Sequence, residues 1–75
     1  MSDRLPALSA KKLAGILKRL GFEPIRQRGS HIFFKHLDGR TTVVPFHGGE
    51  NIDRGLLRQI IREIGSSPEE FSKYL

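Results

Sequence analysis

The chain has 75 residues, enough for one domain and too few for two. A chain of 8.5 kDa buries only about 60% of its extended surface on folding, so the core is real but thin. There is no cysteine, which excludes a disulfide scaffold, a thiolate zinc site and a cysteine nucleophile, and fits a cytoplasmic setting. No apolar run approaches a membrane span, and no basic then apolar leader opens the chain. Thirteen Lys and Arg against eight Asp and Glu give a net charge of +5, unevenly spread: residues 1–62 carry +7 and residues 63–75 carry −2. A basic body on so small a domain points to a polyanion, nucleic acid first, although charge alone also serves solubility.

Residues 1–8 lack periodicity and read as a flexible lead-in to a single domain over 9–75, with Leu5 and Leu8 able to pack back. Ser9 is placed to cap a helix whose apolar stripe is Leu13, Ile16, Leu17 and Leu20, closed by Gly21. Lys11, Lys12, Lys18 and Arg19 fall off that stripe and give the helix a basic surface. Phe22 to Arg28 reads as a strand that Pro24 restricts to a sheet edge. Gly29-Ser30 makes a turn, and His31 to His36 alternates, with Ile32, Phe34 and His36 on one side and His31, Phe33 and Lys35 on the other. Leu37-Asp38-Gly39-Arg40 makes a second turn into a β-branched strand, Thr41 to Phe46, ended by Pro45. After the loop His47-Gly48-Gly49-Glu50-Asn51, a helix from about Asp53 to Ile64 buries Leu56, Leu57, Ile60, Ile61 and Ile64. Ser67-Pro68-Glu69-Glu70 then caps a last short helix. The expectation is an α+β domain of α-β-β-β-α order, a three-stranded antiparallel meander with its helices on one face.

That arrangement leaves the other sheet face open. If Ile32 and Phe34 meet the helices, then His31, Phe33 and Lys35 meet solvent, a row suited to stacking on a base beside a phosphate. Phe33 could equally be packed under a loop or partner. His31 follows a tight Gly29-Ser30 turn that lets a ligand approach the backbone, and Arg26 and Arg28 share one side of the neighbouring strand. An imidazole, whose reference pKa is about 6.5, can take a 2′-OH proton or protonate a departing 5′ oxygen, while guanidinium groups stabilise the charge on phosphorus. A surface histidine with no such role fits the same residues. His47, ahead of a helix start, reads as a second acid/base or a loop contact, and His36, on the inward face, as structural. The histidines lack metal-ligand spacing and carboxylates do not gather around them, so no metal and no cofactor are expected. Arg54, Arg58 and Arg62 line one helix face, either as a phosphate track or as an ordinary solvated face.

Leu13 to Gly21, Arg28-Gly29-Ser30-His31, Asp38-Gly39-Arg40, Val43-Val44-Pro45-Phe46-His47 and the Ile-rich helix before Ser-Pro-Glu-Glu-Phe together resemble the HicA toxin family over about residues 9–72. The resemblance implies a fold like the double-stranded RNA-binding domain and a metal-independent endoribonuclease that cleaves mRNA and arrests translation. It also implies neutralisation by a HicB-like antitoxin, with the toxin monomeric alone and part of a larger complex with its antitoxin. The family's catalytic histidine maps to His31, and the later family histidine maps to His47. RNA contacts are expected from Lys11, Lys12, Arg26, Arg28, Gly29, Phe33, Lys35 and Arg40, with Ser30 or His47 in support of His31. Charge, topology and alternation are satisfied as well by a noncatalytic RNA-binding module on the same face, or by an adaptor whose open sheet serves a protein partner.

Overall fold

Each helix is set by its cap. The computed structural model describes residues 5–75, so Met1–Arg4 of the expected lead-in lie outside the described residues. The elements are β1 (Leu8–Ser9), α1 (Ala10–Arg19), β2 (Phe22–Arg28), β3 (His31–His36), β4 (Thr41–Pro45), β5 (Asn51–Ile52), α2 (Arg54–Glu63) and α3 (Pro68–Ser72). Ser9 Oγ accepts the Lys12 N–H at 3.1 Å to start α1. Asp53 accepts the N–H groups of Gly55 and Leu56 at 3.0 and 3.2 Å to start α2. Ser67 accepts the Glu70 N–H at 3.2 Å to start α3. These bonds satisfy donors that a helix N-terminus otherwise leaves open.

The three long strands form an antiparallel sheet in the order β2-β3-β4, the expected meander. Both long helices pack on one face of it, giving the α+β arrangement of the double-stranded RNA-binding domain. Phe22, Phe34 and Val44 from the sheet meet Leu13, Ile16 and Leu17 of α1, Leu57, Ile60 and Ile61 of α2, and Phe71 of α3 in one buried cluster. Burying each large apolar side chain contributes roughly 1.5–3 kcal/mol, which a core this small cannot spare at many positions. Thr42, buried beneath α2, donates its hydroxyl to Glu63 Oε1 at 2.8 Å, and Gln59 donates to the other carboxylate oxygen at 3.0 Å.

Leu5 and Leu8 of the lead-in are buried in this cluster. Leu8 and Ser9 also pair with Ile52 and Asn51 as a two-residue antiparallel ladder, β1 with β5, which the sequence pattern does not announce. Two residues are too few for alternation to mark a strand. The ladder joins the entrances of α1 and α2.

His36 packs edge-on against Phe22 at 5.1 Å between ring centroids, and its Nδ1 accepts the Asp38 N–H at 3.1 Å. The close neighbour of this ring is Gly21, at φ +96°, where an added Cβ would lie 2.8 Å from His36 Nε2. Gly21→Ala therefore meets both backbone strain and a clash, and is expected to lower stability by roughly 1–3 kcal/mol in urea unfolding. Adding His36→Ala should relieve the clash but not the strain, so the double variant should lose less than the sum of the two single ones. Strict additivity would mean that the two residues do not interact.

Candidate nucleic-acid interface

The open face depends on an irregularity in β2. Counting by twos from the buried Phe22 would put Pro24, Arg26 and Arg28 on the helix side of the sheet. The pairing instead shifts between Pro24 and Arg26, so that Pro24 faces Phe34, Arg26 faces Phe33 and Arg28 faces His31. Ile25 is the extra residue of a β-bulge, and it is exposed. The bulge reverses the alternation and brings Arg26 and Arg28 onto the face that carries His31, Phe33 and Lys35.

On this face the Arg26 guanidinium lies 5.0 Å from the centroid of the half-buried Phe33 ring. Such a pair holds a cation over a π-face while leaving its N–H groups free to meet an anion. His31 is exposed at the end of β3 beside Arg28. The turn between them uses Gly29 at φ +56°, and the Gln27 side-chain amide donates to the Gly29 carbonyl at 3.0 Å.

On its other side His31 faces Pro45. Two residues further along the chain, past the half-buried Phe46, His47 returns to the same side. The His31 and His47 rings are 6.4 Å apart between centroids, at an interplanar angle of 84°. The Phe46 N–H donates to the Ser30 carbonyl, fixing the two histidine-bearing segments to each other at 2.6 Å. Gly48 and Gly49, at φ +40° and +84°, then turn the chain away towards β5. Two imidazoles, two guanidinium groups and an aromatic ring thus share one open surface.

Residues 10–66 match the family described as HicA toxin of bacterial toxin-antitoxin. The chain belongs to this family. It is also similar to a probable mRNA interferase HicA of Pseudomonas fluorescens (strain Pf0-1), 39% identical over 49 residues that cover 65% of this chain and 80% of that relative.

The remaining expected contacts of this HicA-family chain fall in different places. Lys11 lines a cleft of about 300 Å³ with Phe46, His47, Gly48 and Gly49, on the His47 side of the histidine pair. Lys12 instead lines a groove on the opposite flank of α1, with Leu8, Ile16 and Tyr74. Lys35 is exposed on the His31 face but near the far end of β3. Ser30 is half-buried, its carbonyl committed to Phe46. Arg40 is drawn into the fold: it pairs with Asp38 at 2.9 Å, donates to the Ile64 carbonyl at the end of α2, and lies 5.1 Å from the Phe22 ring. It sits beyond the end of β3 opposite His31, about 16 Å away along the strand direction. Among the described residues no group of three or more His, Cys, Asp or Glu side chains gathers as a metal site, and no helix is long and apolar enough to cross a membrane.

The Arg40 side chain, then its backbone N–H, hydrogen-bond Asp38 and hold its carboxyl below the ordinary aspartate value of about 3.9. A depressed carboxyl stabilises the fold at pH values above the unfolded-state value, and that contribution disappears as pH falls through the folded-state value. Carboxyl NMR titration should find the Asp38 midpoint below the ordinary one, and Arg40→Gln should move it upward. An unmoved midpoint in that variant would assign the depression to another group.

Proposed function

We propose that this chain is a toxin endoribonuclease that cleaves mRNA with His31 and His47 as an acid/base pair and without a metal. The observation that carries the reading is the pairing of these two rings, 6.4 Å apart, beside Arg28 on an open basic face. The HicA toxin family and the relative named an mRNA interferase support a toxin that acts on mRNA. The substrate phosphodiester lies between the two histidines, and the strand runs across Phe33 towards Lys35.

One imidazole takes the proton from the 2′-hydroxyl as that oxygen attacks phosphorus. The P–O5′ bond breaks, and the other imidazole delivers a proton to the departing 5′ oxygen. Arg28, with Arg26 behind it, carries the negative charge that builds on the nonbridging oxygens. The products are a 2′,3′-cyclic phosphate and a 5′-hydroxyl end. Because the nucleophile is the 2′-OH, DNA binds to the face but is not cut. Translation stops as messages are lost, and a HicB-type antitoxin that covers this face restores growth.

His31→Ala and His47→Ala should each lower cleavage of a synthetic RNA by about 10²–10⁴-fold while leaving the protein folded. Expression of wild type in a bacterial host should arrest growth with loss of full-length mRNA, and either substitution should abolish both effects. Full cleavage by His47→Ala would leave His31 to work with water. Full cleavage by His31→Ala would sink the catalytic reading and leave an RNA-binding module.

Binding measured with the His31→Ala protein tests the basic face separately. Removing Arg26, Arg28 or Lys35 singly should flatten the dependence of log K on log salt by about 0.7 for each phosphate of single-stranded RNA that the side chain neutralises. A slope unchanged by all three would place the RNA on another surface.

A further inference from the structure

The two edges of the sheet differ in how they are closed. In β3·β4, Phe46 N donates to the Ser30 carbonyl and His36 N donates to the Arg40 carbonyl, so the even-numbered residues of β4 bond to β3. Thr41 and Val43, opposite Lys35 and Phe33, must then turn their N–H and C=O groups outward, with the Pro45 carbonyl. Among the described residues no further strand pairs with β4, and no other backbone group bonds the Thr41 or Val43 N–H. The β2 edge is different. There Pro24 stands at an outward position with no N–H to offer, and the bulge at Ile25 breaks the row. Of the two edges of this sheet, the β4 edge is the unbroken, β-branched, uncharged one among the described residues.

We infer that the Thr41–Pro45 edge of β4 is a docking site for an extended acidic strand of a protein partner, added antiparallel or parallel as a fourth strand of the sheet. Backbone bonds to Thr41, Val43 and Pro45 supply the affinity, as in other additions to a sheet edge. Charge selects the occupant. Side chains on the open face of the added strand lie beside Thr41 and Val43 and two strand spacings, about 10 Å, from Lys35 and His31, within the range at which carboxylates there feel the basic surface. Its other face continues the apolar layer of Phe34 and Val44. A second copy of this chain would bring another net charge of +5 to the same edge, which opposes self-pairing. The added strand ends beside His31 and His47, because β4 runs directly into the segment that carries His47. For its consequence, blocking RNA access at that end, the inference rests on the proposed function; the docking edge itself does not.

The test is amide hydrogen exchange, residue by residue, with an acetylated and amidated eight-residue peptide that alternates glutamate with valine. The Thr41 and Val43 amides should slow by about tenfold at saturation, while Thr42 and Val44, already bonded to β3, change little. The same peptide with lysine for glutamate should leave all four unchanged. Val43→Pro, which removes an outward donor and no β3·β4 bond, should abolish the effect, and Thr41→Glu, which keeps every donor, should weaken binding several-fold by repulsion. Slowing without the odd–even alternation, slowing by the lysine peptide, or binding indifferent to both substitutions would overturn the inference. So would Thr41 and Val43 protection that appears without peptide as protein concentration rises, since the occupant would then be a second copy. None of these readouts depends on RNA cleavage, so an inactive enzyme with alternating protection would reject the ribonuclease reading and keep the docking edge.

Discussion

The bulge at Ile25 is the constraint on which the open basic face depends. Without it, β2 would direct Arg26 and Arg28 to the helix side of the sheet, away from His31, Phe33 and Lys35. One unpaired residue lets Phe22 enter the core while Arg26 and Arg28 join the open face. The same residue bends and twists the edge strand, so one backbone feature both positions the basic groups and closes that edge to other strands.

The two faces of the sheet are held by different interactions. On the helix side, apolar burial is reinforced by a few polar ties, Thr42 to Glu63 and Arg40 to the end of α2. On the open side, Arg26 lies over Phe33, a pair of groups that also suits a nucleic acid. The core and the candidate interface therefore draw on separate sets of side chains across most of the sheet. His31 and His47 sit where the sets meet, because the Phe46 ring turns inward and its N–H clips the chain between them to Ser30.

Much of this is legible in the residues themselves. Ser9 and Ser67, as caps, and the periodicity from about Asp53 mark the helix starts within a residue, and the Gly29 and Gly39 turns delimit β3. The alternation of His31 to His36 correctly divides the two faces, since Phe34 is buried and His31 and Lys35 are exposed. What alternation cannot reveal is a change in its own phase, so the bulge in β2 is invisible until pairing is known. Arg40 shows a second limit. Its contacts with Phe22 and the Ile64 carbonyl join it to residues distant in sequence; only the tie to Asp38, two residues away, is local enough to be read from the chain. The meeting of His31 with His47 follows from register, with His31 opposite Pro45, rather than from spacing.

The meander also bears on how the chain reaches its structure. Its strands pair in sequence order through short turns, so most of the sheet forms by closing loops of only a few residues, each at little entropic cost. The two-residue β1·β5 ladder and the packing of α2 on β4 join more distant parts of the chain. Local connectivity of this kind favours rapid folding. A newly made chain can thus assemble its open basic face early, before the contacts that join the distant parts of the chain are complete.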